Sequence, residues 1–287
     1  MNIYTLLFDY TFQLVLLGTV LLGALYGGVG VFAVLRKQSL LGDVISHAAF
    51  PGIALAFLLT QSKNPLVLLT GGACAGFFGA ACVALITRHS KLKHDTALGI
   101  VLSVFFGAGL VLLTHIQKME ISNQSILHKF LFGNAATLLP EDITLILCVS
   151  IMCLSILAIF WKELSLVAFD EGYALAVGYN IVWLDLVLAF LLVAAIVVGL
   201  QTAGVVLVSS LLIAPAAAAR QWTNRLGFMV GLACCFGAFS SVVGTVISSM
   251  FDRVPTGPVI VVVISILVLF SVLCAPTHGV LWQRRMQ

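Results

Sequence analysis

Apolar residues in this chain come in long unbroken runs separated by short polar stretches, without the period-two alternation of half-buried strands. Bounded by charges, prolines and glycine clusters, these runs predict nine helices, at about 12–35, 43–60, 65–87, 96–116, 142–160, 181–200, 203–219, 227–249 and 258–275. Each approaches the roughly 20 residues a helix needs to cross a hydrocarbon core about 30 Å thick. The pattern predicts an all-α, polytopic membrane protein with about nine transmembrane helices, organised as a single membrane domain over residues 1–287. A β-barrel is excluded because its strands would alternate in hydrophobicity.

Composition strengthens that reading. Of 287 residues, 61% are hydrophobic and only 9% charged, against about 25% charged in an ordinary soluble domain. Disordered chains, disulfide scaffolds and nucleic-acid-binding modules need polar, cysteine-paired or strongly basic sequence, so these classes are excluded. The seven cysteines all fall within apolar runs and show no metal-binding spacing, which marks them as packing residues.

The net charge of +3 matters through its distribution. With nine crossings, one set of loops carries ten basic residues, among them Arg36, Lys37, Arg88 and Lys162, and the other carries four: Lys63, Lys118, Lys129 and Arg253. Cytoplasmic loops are the ones enriched in Lys and Arg, which predicts an outside N-terminus and an inside C-terminus. Asp9 and no basic residue precede the first apolar run, so that run is expected to remain as a transmembrane helix rather than act as a secretory signal. Small residues recur at helix-packing spacing, Gly23 with Gly27 and Gly72 with Gly76 and Ala80, which predicts close helix crossings.

Two connections are longer than a turn requires. Residues 117–141 are expected outside, as a partly ordered excursion that includes Phe132, Gly133 and Asn134. Residues 161–180 are expected inside, and the stretch from Phe169 to Gly178 is short, amphipathic and helix-like. Such an element serves either as a docking surface for a partner or as a helix lying among lipid headgroups.

Candidate chemistry concentrates at the start of the second run. Asp43 and His47 stand four residues apart, so a helix projects both from one face. A carboxylate at this depth costs about 2.5–3.5 kcal/mol on insertion scales, unless a partner or a wet path compensates it. Carboxylate oxygen and imidazole nitrogen suit a divalent ion such as Mn, Fe or Zn, and two ligands hold such an ion only transiently unless a second subunit or water completes the set. Pro51 and Gly52 lie one turn further on and are expected to interrupt the helix beside a cavity. A plainer alternative makes Asp43 the N-cap of its helix, with His47 bonded to a neighbour. Gln201 and Pro215 either line the path or cap and kink their helices. The chain has no Gly-Lys dipeptide and hence no phosphate-binding P-loop.

The segment RKQSLLGDVISHAAFPGIALAFLL, from Arg36 to Leu59, closely resembles the signature of bacterial ABC-transporter permeases for zinc, manganese and iron, the ABC-3 family. The resemblance continues through Phe132-Gly133-Asn134, through Phe169-Asp170-Glu171 with Gly178, and through the run from Gly204 to Arg220. It implies a permease of the type II ABC-importer kind in the bacterial cytoplasmic (inner) membrane, surrounded by lipid. It further implies a second permease copy or a sibling chain, a cytoplasmic ATP-binding subunit and an extracytoplasmic metal-binding protein. Asp43 and His47 match the family positions proposed to bind the transported metal. Phe169, Asp170, Glu171 and Gly172 match the segment, about 165–180, that seats in the ATPase. The metal would be cargo, with no permanently bound cofactor and no nucleic acid involved. Two rival readings of the same residues are a stand-alone proton-coupled metal carrier and an intramembrane aspartyl protease built on Asp43 and Asp185.

Overall fold

A computed structural model describes residues 9–62, 64–118, 130–131, 133, 135, 138–251 and 254–276. Among these the chain forms α1 (Tyr10–Leu35), α2 (Ser39–Thr60), α3 (Pro65–His89), α4 (His94–Lys118) and α5 (Pro140–Ile159). The short helices α6 (Trp161–Phe169) and α7 (Glu171–Ala176) follow. Then come α8 (Ile181–Ala203), α9 (Val205–Trp222), α10 (Leu226–Met250) and α11 (Thr256–Cys274). Eight of these helices are long and apolar enough to cross a membrane: α1 to α5, α8, α10 and α11. The span expected near 203–219 is α9, whose 18 residues extend about 27 Å at the helical rise of 1.5 Å per residue.

Polar residues at the run boundaries start the helices. Asp9 and Asn64 accept backbone N–H bonds from Thr11 and Leu66, and Pro65 fills the first position of α3, where its missing donor costs nothing. Gly204, at φ 77°, separates α8 from α9, and the backbone of Gly133 lies so close that any side chain there would strike Ala203 and Gly204. Phe132 and Asn134 lie outside the described residues.

α1 and α2 form the interior of the bundle: 67% and 72% of their most apolar stretches are buried, against 28% in α4 and 22% in α11. The outer helices present large apolar residues such as Phe78, Val111, Phe228 and Leu269 to their surroundings, as a protein solvated by lipid requires. Lipid gives helices little hydrophobic reason to associate, so close van der Waals packing must hold them. The small-residue spacings supply it. A Cβ on Gly23 would lie 2.4 Å from the carbonyl oxygen of Gly237, and one on Gly27 2.3 Å from that of Ala233, so α1 meets α10 backbone to backbone. Gly52 and Gly71 bring α2 and α3 together in the same way, with a Cβ on Gly52 only 2.3 Å from the carbonyl oxygen of Gly71.

Candidate metal path and coupling surface

α2 begins at Ser39, four residues earlier than its apolar run suggested. Its N-cap is Gln38, so Asp43 sits a full turn inside the helix and cannot serve as the cap. The helix also continues unbroken through Pro51 to Thr60, which corrects the expected interruption. Gly52 is a contact point for α3, and Pro51 is fully enclosed by packing. One backbone consequence of Pro51 survives: proline has no N–H, so the carbonyl of His47, four residues earlier, lacks its helical donor.

The helix brings Asp43 and His47 together as their spacing required. Oδ1 of Asp43 lies 3.6 Å from Nε2 of His47, with 35% of the carboxylate side chain and 14% of the imidazole exposed. That separation exceeds a hydrogen bond, so the two groups face each other without being tied. Two ligands each about 2.1 Å from one tetrahedral ion lie about 3.4 Å apart, and the observed gap is close to that bite. Nδ1 of His47 is buried with no hydrogen-bond partner. The ring meets Phe106 of α4 edge-on, with centroids 4.8 Å apart, which fixes its plane. Ser46 turns inward and donates to the carbonyl oxygen of Asp43 at 2.8 Å. No group of three or more His, Cys, Asp or Glu side chains able to hold a metal occurs among the described residues.

Gln201 on α8 and Pro215 on α9 are both buried. Pro215 follows Leu212 by three residues, and Leu212 packs on Gly42, directly beside Asp43 in sequence. Asp185 is engaged elsewhere, by the Arg36 guanidinium, and is no partner for a proton shared with Asp43.

Residues 161–180 form two helices with a sharp break at Asp170, whose backbone is extended. Its carboxylate caps α7 by accepting the N–H of Tyr173 at 2.9 Å. Only Ala174 of α7 is buried, while Tyr173 and Leu175 project from it and Phe169 from the end of α6, each at least 58% exposed. α7 ends in a turn where Gly178 adopts φ 95° and the amides of Gly178 and Tyr179 return to the carbonyls of Leu175 and Ala174. The result is a small protruding knob of apolar and acidic side chains on a base capped at both ends.

Two features lay beyond sequence reasoning. Phe106 gives no local hint of its contact with His47. Arg36 reads as a loop charge, yet its side chain is only 7% exposed and reaches both Asp185 and Glu171. Its place at the very end of an apolar run was the available signal.

This bundle, with a buried carboxylate–imidazole helix and a knob between α5 and α8, is the architecture of an ABC-type permease. A chain of PsaBC from Streptococcus pneumoniae, solved in complex with Fab, superimposes with a TM-score of 0.86 at 33% identity, covering 98% of both chains. Residues 8–275 match the model of the ABC 3 transport family, and the chain belongs to that family. It is therefore a multi-pass transport permease, and ATP hydrolysis lies with a separate subunit. Among curated relatives, the zinc transport system membrane protein TroC of Treponema pallidum is 46% identical over 280 residues, 96% of this chain and 94% of its own length. The manganese transport system membrane protein MntC of Bacillus subtilis is 47% identical over 267 residues, 93% of this chain but 61% of that longer relative.

Proposed function

We propose that this chain forms the membrane path of an ATP-driven importer of divalent transition metal ions, manganese, zinc or iron, in the bacterial cytoplasmic membrane. The observation that carries the reading is the Asp43–His47 pair, set one turn apart on an interior helix at nearly the bite of a single metal ion and left unbonded. An ion entering there meets one anionic oxygen and one imidazole nitrogen, and water or a second permease copy supplies the remaining ligands. So incomplete a set favours exchange over retention, which suits passage. The zinc and manganese systems named for the relatives support this class of cargo. Oxygen with nitrogen accepts all three metals, and geometry and supply select among them.

The knob at Phe169, Asp170, Glu171 and Gly172 serves as the seat for the ATP-binding subunit, with the segment of about residues 165–180 transmitting its motion. Its exposed aromatic and aliphatic side chains suit an apolar socket, and the rigid caps suit force transfer. The basic residues Arg36 and Arg88 gather at the same end of the bundle as this knob, which supports the cytoplasmic placement of that end, an outside N-terminus and an inside C-terminus. An extracytoplasmic metal-binding protein delivers the ion at the opposite face.

The test is uptake of manganese(II) and zinc(II) into proteoliposomes that hold the permease with its ATP-binding subunit. Uptake should require ATP and fall to background in Asp43→Ala and in His47→Ala, with the complex still assembled. Wild-type uptake in both variants would remove the pair from the path. Uptake by the permease alone, without ATP, would favour the proton-coupled carrier.

A further inference from the structure

We infer that Arg36 is the positioning residue that carries motion of the α7 knob to the metal-binding turn of α2. The inference rests on the importer reading above and assigns a transmission role that the reading itself leaves open.

Arg36 ends α1 and stands at the meeting point of three other elements. Its guanidinium donates to Oδ1 of Asp185 in the first turns of α8 and lies 3.9 Å from Oε2 of Glu171, the first residue of α7. Arg88, in the last turn of α3, is near enough to act electrostatically on the same Asp185 carboxylate. One turn before Arg36, Phe32 receives Trp161 edge-on, with ring centroids 5.7 Å apart, and Trp161 is the first residue of α6. The α6–α7 unit thus meets the end of α1 twice, by an aromatic contact at the start of α6 and by charge at the start of α7. Phe160, at the joint between α5 and α6, packs on Trp183 of α8, with centroids 5.1 Å apart, and braces the same unit from the other side.

From Arg36 the path to the metal pair is short and stiff. The α1–α2 connection is Arg36, Lys37 and Gln38 only. Lys37 occupies the left-handed region at φ 55°, and the amides of Lys37 and Gln38 bond back to the carbonyls of Val34 and Ala33. This closed turn leaves no slack, so a shift of Arg36 reaches Ser39, and Asp43 stands only about 6 Å further along the helix axis. A planar guanidinium can hold two carboxylates at once in fixed directions, which a lysine ammonium does not do. A residue that merely closed a buried charge would not need the exposed Glu171 arm, whose side chain is 60% accessible.

The experiment compares Arg36→Ala and Arg36→Lys with wild type as complexes with the ATP-binding subunit in proteoliposomes, measuring ATP hydrolysed and manganese(II) taken up in the same vesicles. The expected result is a complex of unchanged stoichiometry that still hydrolyses ATP, with the ATP-to-metal ratio raised about tenfold in Arg36→Ala, within the range that substitutions in a coupling network produce, and raised less in Arg36→Lys. Arg36→Lys should restore only part of the coupling. A wild-type ratio in Arg36→Ala, or uptake and hydrolysis falling in proportion, would overturn the inference while leaving the role of Asp43 and His47 standing. Should Arg36→Ala fail to assemble, Arg36→Lys decides alone: a ratio raised above wild type supports transmission through Arg36, and an unchanged one overturns it.

Discussion

Two charged clusters lie seven residues apart in this chain and are built in opposite ways. Asp43 and His47 face one another across 3.6 Å without a hydrogen bond, and one imidazole nitrogen has no partner. Arg36, in contrast, has a buried side chain that donates to Asp185 of α8, with Glu171 of α7 at 3.9 Å. The first cluster leaves its two groups untied, the state that the proposed passage of a metal ion requires. The second is closed by protein through the Arg36–Asp185 pair, and a closed ion pair at a helix junction fixes geometry. Function and architecture are divided between neighbouring turns of the same strip of sequence.

Breaking each cluster should therefore fail differently. The largest effect is expected at the open pair: Asp43→Ala or His47→Ala should reduce metal uptake to background, with Asp43→Ala leaving thermal stability in detergent within about 0.5 kcal/mol and His47→Ala losing about 1 kcal/mol with its contact to Phe106. Asp185→Ala should do the reverse in stability, costing about 1–3 kcal/mol because the buried Arg36 guanidinium loses an acceptor. Thermal unfolding of Asp43→Ala and Asp185→Ala side by side checks the contrast, and equal destabilisation would erase it.

The remaining predictions sharpen the comparison by probing what positions each cluster. Gly71→Ala places a Cβ 2.5 Å from Ala56 and 2.7 Å from the Gly52 carbonyl oxygen. Overpacking of this kind costs about 1–3 kcal/mol, and because α3 seats α2, uptake should fall partially together with the unfolding temperature. Asp170→Ala removes the cap of α7 and should cost about 1 kcal/mol locally, visible as faster hydrogen exchange at the Tyr173 amide with the core unchanged. The smallest effect is expected at Tyr26, fully buried with an unpartnered hydroxyl. Tyr26→Phe should leave unfolding unchanged or raise stability by about 1 kcal/mol, since no hydrogen bond is lost.

The sequence alone determined the number and approximate extent of the long helices, because lipid-facing helices must be apolar over a length set by the bilayer. It determined also that Asp43 and His47 share a face, because that follows from the helical period alone. It misplaced the start of α2, where Ser39, Leu40, Leu41 and Gly42 read as a connection but are drawn into the helix by packing against α9, with Leu212 against Gly42. It read Pro51 and Gly52 as a break, whereas the helix runs on through them, with Gly52 packed closely on Gly71. Only the tertiary structure decided that Arg36 joins Asp185 and Glu171, that Phe106 sets the imidazole plane, and that α7 stands out as a knob. Those contacts join residues from 59 to 149 positions apart, and no local period or propensity encodes which distant side chains the folded bundle brings within reach.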